Sequence, residues 1–160
     1  MLKLYRLSSS TKEYWETWEE EPTSHVIHWG ALGTKGQTKT VAASTAKLTT
    51  ELVRAETDAM RSQGYSEFDE EDSFTLLVEY AIDGMGTDND LEKRNELEEQ
   101  LNETLGWTGL GACDGGSIGS GTMEVCCFVV DFDLAKKVIT QALAGTKFAD
   151  YRRIYDENAE

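Results

Sequence analysis

The sequence predicts an α+β protein of two domains, an antiparallel sheet with one helix followed by a β-α-β-β-α-β sandwich. Two observations carry this prediction. Strand-like segments precede a single helix in residues 1–69, whereas strands and helices alternate in residues 73–156. The charge divides at the same place, because residues 1–69 hold eight Lys/Arg against ten Asp/Glu and residues 70–160 hold seven against twenty. The acidic residues 68–72 between them predict a short linker.

Four strands and one helix are expected in the N-terminal domain. The strand segments cover residues 2–7, 14–18, 24–29 and 38–43. Residues 33–37 (GTKGQ) predict a turn, because glycine adopts positive φ without steric cost. Ser44 is the predicted N-cap of a helix over residues 46–62, and Gly64 closes it. The apolar stripe of this amphipathic helix consists of Leu48, Leu52, Ala55, Ala59 and Met60.

Strands and helices alternate in the C-terminal domain. The strands are expected over residues 74–82, 107–113, 122–130 and 151–155. Residues 114–121 contain four glycines and are interpreted as a flexible hairpin loop. An acidic helix covers residues 91–105 and ends at Gly106, and a second helix is capped by Asp133 and ends at Gly145. Leu97, Leu101 and Leu105 recur at helical spacing along the acidic helix. This element order is that of a ferredoxin-like fold, with an open sheet and both helices on one face.

Composition favours a cytoplasmic protein that does not span a membrane. The longest apolar run, residues 125–130, is far shorter than the roughly 20 residues that cross a bilayer, so no membrane partner is expected. The three cysteines are an odd number and indicate free thiols in a reducing compartment. Cys126 and Cys127 alternate across a strand and are interpreted as packing residues, whereas Cys113 is expected to be more exposed.

No catalytic or metal-binding set can be assembled from the sequence. His25 and His28 lie three apart on a predicted strand and therefore point to opposite faces. Residues 114–121 lack the Gly-Lys-Ser/Thr ending of a phosphate-binding loop. A non-enzymatic protein with no cofactor and no metal is therefore expected.

Three segments of the N-terminal domain carry a family resemblance. They are residues 14–16 (YWE), residues 28–37 (HWGALGTKGQ) and residues 64–67 (GYSE). Over residues 1–69 the chain resembles the WGR domain family. The resemblance implies a small module with a twisted antiparallel sheet and one helix, found in poly(ADP-ribose) polymerases and in bacterial proteins.

The resemblance departs from the family at its arginine. In the polymerases the WGR module contacts DNA ends and neighbouring domains, with the motif tryptophan and arginine prominent there. Trp29 and Gly30 match the motif, but Ala31 stands in the place of the arginine. Alanine has neither the charge nor the donor fork that binds phosphates. We expect no polymerase catalytic domain in residues 70–160, which are too few and of the wrong element order.

Three functions are compatible with these features. The favoured one is binding of a basic protein partner, and small acidic proteins without an active site include immunity proteins and other inhibitors of toxins. The binding residues would lie on the acidic helix at spacings i, i+4, i+7 and i+11, namely Glu92, Glu96, Glu99 and Glu103. The alternative is nucleic-acid binding through Trp29, Lys35 and Lys39, which the acidic charge disfavours. The third is a small-ligand or enzyme site between the domains.

Overall fold

The fold was analysed in a computed structural model, which describes residues 1–8 and 10–159. The chain divides into two compact units, Met1–Asp69 and Glu70–Glu160. The described residues form two antiparallel four-stranded sheets and three α-helices, so the predicted α+β class is confirmed. Among the described residues, no helix is both long enough and apolar enough to span a bilayer.

The N-terminal unit is a four-stranded meander with one helix. Its sheet has the strand order β1-β2-β3-β4, and every neighbouring pair is antiparallel. The elements are β1 (Leu2–Arg6), β2 (Glu13–Glu21), β3 (Ser24–Ala31), β4 (Gln37–Ala42) and α1 (Ala46–Ser62). Leu4, Trp15, Ile27 and Tyr65 form the buried core, and Trp29 and Met60 are partly buried against it. The helix is capped by Thr45, whose side chain accepts from Leu48 N at 3.3 Å, rather than by the predicted Ser44.

The buried face of α1 differs from the predicted apolar stripe. The helix buries Thr49, Val53 and Thr57, whereas Leu48 and Leu52 are 46% and 48% exposed. Thr49 and Val53 each follow a residue of the predicted stripe by one position, so the helix is rotated by about 100° from the predicted orientation. Burial of the threonines is tolerated because their hydroxyls have partners: Thr49 Oγ1 donates to Thr23 O at 2.9 Å and Thr57 Oγ1 to Val53 O at 2.8 Å.

The C-terminal unit alternates strands and helices as predicted. Its elements are β5 (Phe74–Ala81), α2 (Asp88–Trp107), β6 (Gly111–Gly119), β7 (Thr122–Val129), α3 (Phe132–Leu143) and β8 (Arg153–Asp156), preceded by a 3₁₀ turn over Glu70–Asp72. The sheet order is β6-β7-β5-β8, with all neighbours antiparallel. Helix α2 packs on β6 and β7, α3 packs on β5, and the two helices contact each other.

Several predicted boundaries in this unit are wrong. The strand expected over residues 107–113 begins only at Gly111, because α2 continues through Gly106 to Trp107. Residues 114–121 are not a loop, because β6 continues to Gly119 and a two-residue turn at Ser120 and Gly121 leads directly into β7. Both turn residues have positive φ, 54° and 86°, as tight hairpin turns require. Helix α2 begins at Asp88, three residues early, because Thr87 and Asp90 form a capping box. Asp131, not Asp133, caps α3 and accepts from Leu134 N at 2.9 Å.

Candidate functional site

Helix α2 presents the four predicted partner-binding glutamates on the side opposite its buried face. Leu97, Leu101 and Leu105 are fully buried and fix the rotation of the helix on the sheet. At 100° per residue the glutamates span about 60° of arc, centred almost opposite these leucines. We call the four residues the acidic strip, and they are Glu92, Glu96, Glu99 and Glu103.

The acidic strip is only partly compensated by basic residues. Glu96 is half-buried and forms an ion pair with Lys147. Glu92, Glu99 and Glu103 are exposed, and in the part of the chain that the structure describes they have no ion pair. The cations of α2 itself are engaged elsewhere: Lys93 Nζ lies 2.8 Å from Asp150 Oδ1, and Arg94 donates to Gly116 O at 3.2 Å. Three of the four predicted carboxylates therefore face solvent uncompensated.

The residues predicted for nucleic-acid binding do not form an uncompensated cationic surface. Trp29 packs against the core cluster, and Lys39 Nζ lies 5.9 Å from the centroid of its ring. The same Nζ is 2.7 Å from Glu56 Oε2 on α1, so the charge of Lys39 is balanced within the unit. Lys35 is exposed in the turn between β3 and β4. Of the two predicted lysines, Lys39 is thus paired with Glu56 on α1, and only Lys35 is left unpaired with this helix.

A buried polar cluster in the N-terminal unit was missed by the sequence analysis. His28 is fully buried, with Nδ1 2.7 Å from Glu16 Oε1 and Nε2 2.6 Å from Lys35 O. The ring is thus held between a carboxylate oxygen and a carbonyl oxygen, both of which accept hydrogen bonds. Glu16 also lies 3.5 Å from Lys3 Nζ. The signal that could have found it is the pairing of the two predicted strands, residues 14–18 and 24–29, whose register sets Glu16 opposite His28.

The hydrogen bonds of this cluster hold the turn between β3 and β4 (residues 32–36), which we call the motif turn. Tyr14 donates its hydroxyl proton to Thr34 O at 2.8 Å and lies 3.0 Å from His28 Nε2. Burial, followed by the charge of Glu16, raises the pKa of Tyr14 to about 12, so the hydroxyl keeps its proton. Tyr14 and His28 are 2% and 0% exposed. Their hydrogen bonds therefore tie the backbone of Thr34 and Lys35 to the sheet.

A second polar network lies on the sheet face of the C-terminal unit that is turned away from α2. Tyr80 faces α2, with Lys93 Nζ 4.7 Å from its ring centroid, so the neighbouring Glu79 points to the other face. Arg153 donates to both oxygens of Glu79, at 3.1 and 2.8 Å, and its guanidinium lies 3.9 Å from the Tyr155 ring centroid. The Tyr155 hydroxyl donates to Glu124 at 2.6 Å.

The charges of this network are used within the sheet. Hydrogen bonding to Arg153 lowers the pKa of Glu79, which is 3% exposed and remains a carboxylate. Hydrogen bonding to Glu124, followed by burial, raises the pKa of Tyr155 to about 12. Glu79, Arg153, Tyr155 and Glu124 are therefore paired with one another.

Comparison with known proteins identifies no relative of this chain. No family model, curated protein or solved structure matches it. The resemblance to the WGR family accordingly rests on residues 14–16, 28–37 and 64–67 alone.

Proposed function

We propose that this chain is a non-enzymatic binding protein that engages a basic protein partner through the acidic strip. The observation that carries the proposal is the exposure of Glu92, Glu99 and Glu103 without an ion pair among the described residues. An inhibitor or immunity-type role, in which the partner is a cationic toxin, is the form of this function that the charge favours.

The placement of the strip suits electrostatic recognition. Its helix is anchored by three fully buried leucines, so the backbone positions of the four glutamates are fixed before a partner arrives. Like charges four residues apart cost an isolated helix a few tenths of a kcal/mol. The surrounding unit carries seven Lys/Arg against twenty Asp/Glu, and such a charge raises the association rate of cationic proteins at low salt.

The finer fold assignment belongs to the same proposal. A ferredoxin-like C-terminal unit is supported by the strand order β6-β7-β5-β8, in which each helix connects two strands separated by one neighbour. A WGR-like N-terminal unit is supported by the four-stranded sheet with one helix and by Trp29 and Gly30 at the end of β3.

Nucleic-acid binding is the weaker alternative. Its tryptophan is packed against the core, Lys39 is paired with Glu56, and Ala31 offers no charge at the motif position. Duplex DNA is therefore expected to bind weakly and to dissociate steeply as salt rises. Submicromolar affinity at about 150 mM salt that is lost in Trp29→Ala would favour this alternative instead.

The test compares two variants of equal charge. The strip variant reverses Glu92, Glu99 and Glu103 to Lys and leaves Glu96 with its partner Lys147. The control variant reverses three exposed acidic residues of the N-terminal unit, namely Glu20, Glu51 and Asp58. Each tagged protein is incubated with lysate of the source cell at low and high salt, and captured proteins are identified by mass spectrometry.

The proposal expects one basic protein to be captured by the wild type and the control but not by the strip variant. Association rates of the purified partner are then measured by surface plasmon resonance. The rate should fall about tenfold in the strip variant, with a flatter salt dependence, and change less in the control. Equal capture and equal rates for both variants would contradict the proposal and leave the strip a solvated face.

A further inference from the structure

Two of the three cysteines meet across the β6–β7 hairpin. Cys113 and Cys127 are directly opposed in the antiparallel register, and their Sγ atoms are 2.8 Å apart. Opposed residues of antiparallel strands have Cα atoms about 4.5–5.5 Å apart, which lies within the range that a disulfide bridges. The Sγ separation is within 1 Å of the disulfide bond length of about 2.0 Å. A small side-chain rotation therefore suffices to join the two sulfur atoms.

The two thiols differ in their access to solvent. Cys127 is fully buried in the central strand β7, on the same face as Val125 and Val129. Cys113 is half-buried on β6, which is an edge strand of the sheet. A reagent can therefore reach Cys113 from the edge, whereas Cys127 is reached through Cys113.

Helix α2 and a β-bulge frame the pair. Asn102 Oδ1 accepts from Cys113 N at 3.1 Å, and Glu98 Oε1 accepts from Gly115 N at 3.3 Å. The register shifts between Cys113 and Gly116, so the hairpin is already irregular beside the thiols. This irregular backbone can adjust to a new bond at lower cost than a continuous ladder.

We propose that Cys113 and Cys127 form a reversible thiol–disulfide exchange site, with low-molecular-weight disulfides such as glutathione disulfide as the oxidant. Cys113 Sγ attacks one sulfur of glutathione disulfide, which breaks that S–S bond and releases one glutathione. Cys127 Sγ then attacks Cys113 Sγ and releases the second glutathione. The two cysteines are oxidised by two electrons, glutathione disulfide is reduced, and the two thiol protons pass to the released thiolates.

The order of attack follows from the environment of each thiol. The pKa of Cys127 is raised, first by the hydrogen bond between Cys127 and Cys113 and then by burial. The Cys127 thiol therefore keeps its proton until Cys113 has reacted. The adjacent Cys126 serves as a control within the chain. It is half-buried on the opposite face of β7. No cysteine lies opposite it, because its register partners are Leu77 and the bulged segment after Cys113.

The test uses the full chain in its reduced form. The protein is incubated with glutathione disulfide without denaturant, remaining thiols are alkylated, and the intact mass and a proteolytic map are recorded. The wild type and Cys126→Ser should each lose two hydrogens and yield a peptide linked through Cys113 and Cys127. Cys127→Ala should stop at a single glutathione adduct on Cys113, and Cys113→Ser should leave Cys127 at least tenfold less reactive than Cys113 in the wild type.

Two results would overturn the exchange site. One is a wild-type protein that carries glutathione adducts but no internal link, and the other is a link that involves Cys126. Because the mass and the map of the wild type decide the matter by themselves, a poorly folded variant does not prevent the test. A higher urea midpoint of the oxidised wild type than of the reduced wild type is the accompanying expectation, since the link closes a loop in the unfolded chain.

Discussion

Gly36 occupies the most constrained position of the motif turn. Its φ is +61°, and an added Cβ would lie 2.1 Å from Trp29 O and 2.5 Å from the Tyr14 hydroxyl oxygen. Neither neighbour can withdraw easily, because one is the backbone of β3 and the other is the buried hydroxyl that donates to Thr34 O. Replacing Gly36 with alanine should therefore displace the whole turn from the sheet.

The expected loss of stability combines two contributions. A non-glycine residue in the left-handed region costs about 1–2 kcal/mol. Relief of the two close approaches resembles overpacking, at about 1–3 kcal/mol, and strains the hydrogen bonds of His28 and Tyr14, each worth about 1 kcal/mol. Gly36→Ala should thus lower the free energy of unfolding by about 2–5 kcal/mol, a large part of the total for a domain of this size.

Gly64→Ala is the matched control in the same unit. Its φ is +91°, but an added Cβ would have only Arg6 Cδ within 4 Å, at 3.8 Å. It should cost about 1–2 kcal/mol, the backbone contribution alone. Urea unfolding followed by tryptophan fluorescence reports on this unit, because three of the four tryptophans lie within residues 1–69. A Gly36→Ala variant within 1 kcal/mol of Gly64→Ala would refute the steric argument.

Two further predictions concern α1 and the sheet network. Val53→Ala should cost about 1–3 kcal/mol and Leu52→Ala under about 0.5 kcal/mol in urea unfolding, since α1 buries Val53 and leaves Leu52 half exposed; the reverse ranking would mean that the predicted stripe is the packed face after all. Glu79→Gln should cost about 1 kcal/mol near pH 7, a modest value because Arg153 is solvent-exposed. The pKa of Glu79 is lowered in the folded state, so its contribution is complete above the unfolded value of about 4.3 and disappears as the pH falls through the folded value. A stability difference between wild type and Glu79→Gln that persists unchanged at pH 3 would contradict this assignment.

Local patterns predicted most of the elements but not their ends. The order of strands and helices follows from periodicities of two and 3.6 residues, which need no knowledge of the neighbours. The β6–β7 hairpin was misjudged because its glycines indicate flexibility in isolation. In the sheet, backbone pairing with β7 holds three of them in a strand that continues to Gly119.

The candidate sites divide in the same way. The acidic strip was predictable, because all four glutamates lie on one helix and their relative positions follow from its pitch. The compensation of Glu96 by Lys147 was not, since these residues are 51 positions apart. The pairing of Cys113 with Cys127 was missed for a related reason: it depends on the register of the hairpin, which the turn and the bulge set together.

The sequence by itself determined the α+β class, the acidic C-terminal half and the buried leucines of α2, because each follows from composition or from local spacing. Only the tertiary structure decided which side of α1 is buried. Threonines at 49 and 57 are acceptable inside because carbonyls of Thr23 and Val53 receive their hydroxyl protons. The buried His28 is acceptable for the same reason, since Glu16 and the backbone of Lys35 lie within hydrogen-bond distance of its two nitrogens. Burial of Thr49 and His28 thus depends on partners from other parts of the fold, Thr23 and Glu16, which no local pattern contains, whereas Thr57 finds its acceptor one turn earlier in its own helix.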